Sequence, residues 1–213
     1  GIVSLPMPSR RRFVQGLALG GAAAALGGWA KPLWAQTAAT APLKILSGTE
    51  FDLEIGPTQA NFTGQPTIMY AINGQLPGPI LRWREGTTVT LRVTNHLPVQ
   101  SSIHWHGIIV PFEMDGVPGI SFPGIAPGET FVYRFPVKQS GTYWYHSHSH
   151  FQEQNGPYGP LVIEPANGER NLTDRDYVVM LNDWTDLDPA RIFAILKKQS
   201  DYFNFNKLTL PDF

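Results

Sequence analysis

The sequence predicts an all-β fold, a β-sandwich or barrel, and three observations carry that expectation. Glycine and proline are abundant, 21 and 19 of 213 residues, and aromatics make up 12%. Turn-formers at that density, mixed with β-branched and aromatic residues, disfavour a helical bundle. Apolar residues alternate with polar ones at period two, the mark of a strand with one wet face, and turn signals recur at roughly ten-residue spacing.

In chain order, the first β-structure is expected over Lys44 to Ile55, where Phe51, Leu53 and Ile55 alternate with charged residues. Asn73-Gly74 and Pro77-Gly78-Pro79 read as turns. Between Glu85-Gly86 and Leu97-Pro98 lies Thr87 to Asn95, with Val89, Leu91 and Val93 on one face. Further strands are expected over Ile103 to Val110, Thr130 to Phe135, Gly141 to Ser149 and Gly159 to Ile163. Pro-Gly pairs at 118–119, 123–124 and 127–128 break the intervening stretch into loops.

Pro165 to Glu169 is a polar break. Beyond it the pattern predicts one strand, Asp176 to Leu181, and one helix. Asp188 caps that helix, Pro189 fits its first turn, Ile192, Phe193 and Leu196 form its apolar stripe, and Lys197-Lys198 sit at the negative end of its dipole. One strand and one helix cannot bury a core by themselves. Residues 43–165 therefore read as one complete domain, and 166–213 as a linker and the incomplete start of a second.

Residues 1–35 read as an export signal. Ser9-Arg10-Arg11-Arg12-Phe13-Val14 is followed by the apolar stretch Gly16 to Ala30, then by Pro32 and the small-residue exit Trp34-Ala35-Gln36. Adjacent arginines before x-Phe-Val resemble the twin-arginine signal, which a receptor reads to export folded proteins. The expected partner is the twin-arginine export machinery, the expected destination the periplasm, with cleavage near Ala35. A Gly- and Ala-rich middle gains too little from hydrocarbon to anchor, so no membrane span is expected after processing.

The net charge of −1 hides an asymmetry, because residues 1–35 hold Arg10, Arg11, Arg12 and Lys31 and no acid. The rest has 12 basic against 17 acidic residues, which leaves no basic patch for nucleic acid or an anionic membrane surface. The chain has no cysteine. That excludes disulfides, thiolate zinc sites, iron–sulfur clusters, thiol nucleophiles and a blue-copper centre, so any metal must be held by His, carboxylate or carbonyl.

Five of the six histidines fall within residues 104–150, as His104-Trp105-His106-Gly107 and His146-Ser147-His148-Ser149-His150. On a strand, residues i and i+2 share a face roughly 6.5–7 Å apart, so each His-x-His delivers two imidazoles to one side. Two such strands side by side bring four imidazoles to one volume, which suits a pair or cluster of borderline-soft ions. His150 is in phase with His146 and His148, so spacing admits it as a further ligand, although strand ends splay away from a site. His96 sits at a strand end and reads as a solvated loop residue. Met69, Met114 and Met180 are scattered and read as packing, and Tyr143-Trp144-Tyr145 as core and wall. A zinc-dependent hydrolase is disfavoured: Gly107-Ile108 stands where such a site needs an acid, and no later histidine exists. All-imidazole ligation suits copper at least as well as zinc.

Asn73-Gly-Gln-Leu-Pro-Gly-Pro79, Arg84-Glu-Gly86, His104-Trp-His-Gly107, Met114-Asp-Gly-Val-Pro-Gly119 and Gly141-Thr-Tyr-Trp-Tyr-His-Ser-His148 resemble the first cupredoxin domain of multicopper oxidases. Phe151-Gln-Glu-Gln154, Tyr158-Gly-Pro160 and the tail Lys197 to Tyr202 with Asn204-Phe-Asn206 are similar to the bacterial copper-resistance oxidases of the CopA type. The resemblance implies a cupredoxin-like Greek-key β-sandwich followed by the start of a second cupredoxin-like domain. It implies that His104 binds the type-2 copper of a trinuclear cluster and His106, His146 and His148 the type-3 pair. Asp115 resembles the family's acidic residue that assists proton delivery to dioxygen, while Asp-Gly is equally a turn former. At His150 close relatives commonly carry a small residue.

The family oxidises its substrate one electron at a time at a type-1 copper and reduces dioxygen to water at the cluster; for copper-resistance members Cu(I) is a candidate substrate. The cysteine that binds type-1 copper, and the other half of the cluster's ligands, belong to the family's last domain and are not in this sequence. The alternative to a portion of such an oxidase is a stand-alone periplasmic copper carrier using the same histidines.

Overall fold

The computed structural model describes residues 43–169 and 173–205; the expected export signal over 1–35 lies outside the described residues. Among these are nine strands: β1 (Ile45–Ser47), β2 (Glu50–Ala60), β3 (Thr67–Ile72), β4 (Ile80–Arg84), β5 (Thr88–Asn95), β6 (His104–His106), β7 (Thr130–Pro136), β8 (Gly141–His146) and β9 (Tyr158–Glu164). They form a five-stranded sheet in the order β1-β4-β9-β8-β6 and a four-stranded sheet in the order β3-β2-β5-β7. The pairs β1–β4, β4–β9 and β2–β5 are parallel and the rest antiparallel.

Alternation places the core between the sheets. Phe51, Leu53 and Ile55 of β2 and Val89, Leu91 and Val93 of β5 are buried from one sheet, and Leu81, Trp83, Trp105, Tyr145, Leu161 and Ile163 from the other. Trp83 and Trp105 lie 5.4 Å apart, and Trp105 meets Tyr133 edge-on at 5.3 Å. Fully burying one such ring contributes about 2–3 kcal/mol. The tyrosine hydroxyls at the margin of this core are paired: Tyr145 donates to the Pro79 carbonyl at 2.7 Å, and Tyr133 accepts from the Ile103 N–H at 3.2 Å. Burial pushes both phenols well above their ordinary pKa.

The expected elements hold with four corrections. The stretch Lys44 to Ile55 is two strands, because Gly48, at φ 125°, turns the chain from one sheet to the other. Strands β3 and β4 flank the turn signals at 73–79, where the sequence pattern predicts no strand. The strand expected over Ile103 to Val110 shrinks to His104–His106, and the one expected over Gly141 to Ser149 ends at His146. Finally, Asp176 to Leu181 forms no strand; Tyr177, Val179 and Leu181 stay exposed, with no neighbouring strand among the described residues to complete a ladder.

Two helical segments follow β8: the single turn α1 (Gln152–Asn155) and α2 (Pro189–Leu196). Asp188 accepts from the Ala190 N–H at 3.0 Å, so α2 begins where its cap was expected. Phe193 of α2 packs on Phe151 at 5.1 Å, Trp184 packs on Phe62 at 4.6 Å, and Asn182 donates to the Tyr158 hydroxyl at 2.7 Å. No helix among the described residues is long and apolar enough to cross a membrane.

Candidate metal centre

Register sets the site. On β6, Trp105 points into the core, which sends His104 and His106 to the opposite face of the sheet. On β8, Tyr145 points inward and Trp144 and His146 outward. Antiparallel pairing sets His104 opposite His146 and His106 opposite Trp144. The histidine face is therefore the outer face of the sheet at its edge strand, away from the apolar core.

One nitrogen from each of His104, His106 and His146 lies within 4.8 Å of the others. Their rings stand 5.4–5.6 Å apart, and the His148 ring lies 5.5 Å from His104 and 6.1 Å from His146. Trp144 walls the site, stacked on His146 at 4.1 Å and on His106 at 4.9 Å. His148 reaches the cluster without strand geometry: the chain leaves β8 after His146, and the His148 N–H donates to Ser102 Oγ at 3.0 Å. The phase expected for His150 is lost in that turn. His150 takes a left-handed φ of 51°, is exposed, and is not one of the three residues whose nitrogens converge.

Hydrogen bonds set which nitrogen each ring offers. His104 Nδ1 donates to the Asp115 carbonyl at 2.7 Å and His146 Nδ1 to the Ser147 carbonyl at 2.9 Å, which makes Nε2 the lone-pair nitrogen of both rings. His106 Nδ1 lies 3.2 Å from His146 Nε2. His146 is buried, and chiefly for that reason its imidazole is pushed down to about 4; the neighbouring His104, His106 and His148 act in the same direction and the Ser147 carbonyl opposes them. It is thus neutral at physiological pH, the form that ligates.

The Asp115 carboxylate lies 3.5 Å from His104 Nδ1 and is partly exposed. Its loop is pressed onto β6: a Cβ on Gly116 would overlap the Ile103 carbonyl, and Gly116 has φ 75°. His96 is exposed and distant in role, 4.0 Å from Glu54. Glu153, to which no spacing rule points, lies 3.1 Å from His146 Nδ1.

Imidazole nitrogens without a competing carboxylate among the converging donors, with His146 neutral, fit a borderline-soft ion such as copper. A two-sheet β-sandwich with this edge-strand site defines a class, the multicopper oxidases, and the family model described by that name matches residues 54–168. The chain belongs to the multicopper oxidase family, and copper is the metal of that family. It is similar to copper resistance protein A of Pseudomonas syringae pv. tomato, 60% identical over 205 residues that make up 96% of this chain and 34% of that protein. It is also similar to copper resistance protein A of Escherichia coli, 55% identical over 206 residues, 96% of this chain and 34% of that protein. The crystal structure of a multi-copper oxidase from Pseudomonas thermotolerans superposes with a TM-score of 0.54 at 37% identity, covering 58% of this chain and 31% of that one. The chain thus spans about a third of the length of the curated relatives it matches.

Proposed function

We propose that this chain is the N-terminal portion of a periplasmic copper-resistance multicopper oxidase, delivered by the twin-arginine-type signal over residues 1–35, with cupredoxin domain 1 over 43–165 and the opening of a second domain over 166–213. The carrying observation is the convergence of His104, His106 and His146 within 4.8 Å, with His148 alongside, on the outer face of a sandwich edge. His104 would hold a type-2 copper, and His106, His146 and His148 the type-3 pair. Bound copper supplies one-electron redox chemistry, so that electrons drawn singly from a substrate, with Cu(I) the candidate, reduce dioxygen to water.

The chain's own residues orient and shield. Asp115 and Ser147 fix the tautomers of His104 and His146 through their carbonyls, and Trp144 covers two of the rings. The Asp115 carboxylate, partly exposed and 3.5 Å from His104 Nδ1, can take a proton from solvent and hold it beside the site where water forms. With no cysteine, these 213 residues carry no thiolate for a type-1 copper, so electron entry belongs to another part of the protein.

Two measurements test this reading. The purified chain should bind copper with loss of affinity in His104→Ala, His106→Ala, His146→Ala and His148→Ala but not in His150→Ala, and should show neither intense blue colour nor oxidase turnover alone. The longer protein containing it should consume oxygen with Cu(I) as donor, and His146→Ala should abolish that. Copper binding by a protein whose gene ends at Phe213 would favour the carrier reading; failure of the chain to bind copper would overturn both.

A further inference from the structure

His148 has no strand to hold it. Beyond the end of β8, the segment Ser147-His148-Ser149 is tied down by side chains, and they converge on one residue of α1. Gln152 is 5% exposed. Its Oε1 accepts from Ser101 Oγ at 2.7 Å and from Ser147 Oγ at 2.8 Å, and its Nε2 donates to the Gln100 carbonyl at 2.8 Å. Ser101 lies in the approach to β6 and Ser147 lies between His146 and His148, so one amide joins the two histidine-bearing segments across 46 positions of sequence. A second strut runs beside it: Ser102 Oγ accepts from the His148 N–H and lies 2.8 Å from Ser149 Oγ, while Ser147 Oγ accepts from the Ser149 N–H at 3.2 Å. Ser101, Ser102, Ser147 and Ser149 are all buried.

We propose that Gln152 is a positioning residue for the copper ligands: it clamps the His146–His148 turn to the approach of β6, so that His148 is held ready beside His104 and His146 before metal arrives. The inference rests on the copper reading above and concerns the ligand that no strand holds. A buried, doubly used acceptor suits that task. Removing it leaves two buried serine hydroxyl protons without their acceptor, and the turn is free to shift in search of a new one. Ligand groups that must be re-ordered on binding subtract from metal affinity, whereas preorganised ones do not.

The test is the affinity of the full chain for Cu(I), titrated alone against a chromophoric chelator, at a temperature where circular dichroism shows each variant folded. Gln152→Met should weaken Cu(I) binding roughly 10- to 100-fold, the range for partners that orient metal ligands. Ser147→Ala, a milder change that leaves Ser101 on the amide, should weaken it in the same direction. In the double variant Ser147→Ala should cost less than it does alone, because the Gln152–Ser147 contact is already gone and only the bond accepted from the Ser149 N–H remains to be lost. If Gln152→Met does not fold, Ser147→Ala and Ser101→Ala carry the test. Variants that lose thermal stability yet bind Cu(I) within about twofold of the parent would overturn the proposal. Failure of the unmodified chain to bind Cu(I) would instead overturn the copper reading itself.

Discussion

Gly116 shows how one missing side chain places another. The loop carrying Asp115 can deliver its carbonyl to His104 Nδ1 at 2.7 Å only because the next residue presents no Cβ to the Ile103 carbonyl. Gly119, in the same loop, shares a positive φ (76° against 75°) but faces open space. Gly119→Ala should therefore cost only the left-handed backbone penalty, about 1–2 kcal/mol. Gly116→Ala adds an overlap with backbone, which cannot rotate away, and should cost at least about 2 kcal/mol more. Urea unfolding of both variants measures the difference, and equal midpoints would show that the loop yields freely. At this scale the site was half legible. A His-x-His pair announces itself because residue identity alone supplies the lone pairs and strand spacing supplies the face. The carbonyl of Asp115, the amide of Gln152 and the carboxylate of Glu153 act through contacts between distant segments, which no spacing rule encodes. His148 lies beside His104 through a turn rather than the strand its spacing suggests, and His150, equally well spaced, is exposed at a left-handed φ of 51°.

Elements were legible where alternation and tertiary burial agree. Val89, Leu91 and Val93 alternate in sequence and are fully buried in β5. The alternation of Tyr177, Val179 and Leu181 is as clean, yet these residues are exposed, because period two gives a strand a face without giving it a neighbour. β3 was missed for the opposite reason: Ala71 and Ile72 are adjacent and both buried, which blurs the period. Helix α2 was found from its cap, and the cap makes a prediction at this scale. Asp188→Ala removes the acceptor for the Ala190 N–H and should weaken α2 by about 1 kcal/mol. Amide hydrogen exchange in 190–196 should then speed up about fivefold, with β5 and β7 unchanged. If exchange also rises in the sandwich strands, α2 is a strut of the sandwich rather than a cap-dependent helix on its surface.

Across the whole molecule, the candidate ligands come from two segments separated by about 40 residues of chain, and only the closed sandwich brings them together, through the β6–β8 pairing that sets His104 opposite His146. Copper should consequently bind the folded chain in preference to the unfolded one, and binding that selects the native state stabilises it by mass action. At free copper a hundredfold above the dissociation constant the gain is about 2.7 kcal/mol. For a domain of this size that corresponds to an upward shift in melting temperature of roughly 5–10 °C. A chelator added in excess should return the transition to its starting point. His146→Ala should remove most of the shift, since His146 is the buried, neutral member of the cluster. His150→Ala should leave it intact, since His150 is exposed and outside the set of converging nitrogens. Calorimetry with and without copper decides the matter: a shift that survives His146→Ala would mean the metal is held elsewhere, and no shift at all would mean that this chain does not preorganise a copper site by itself.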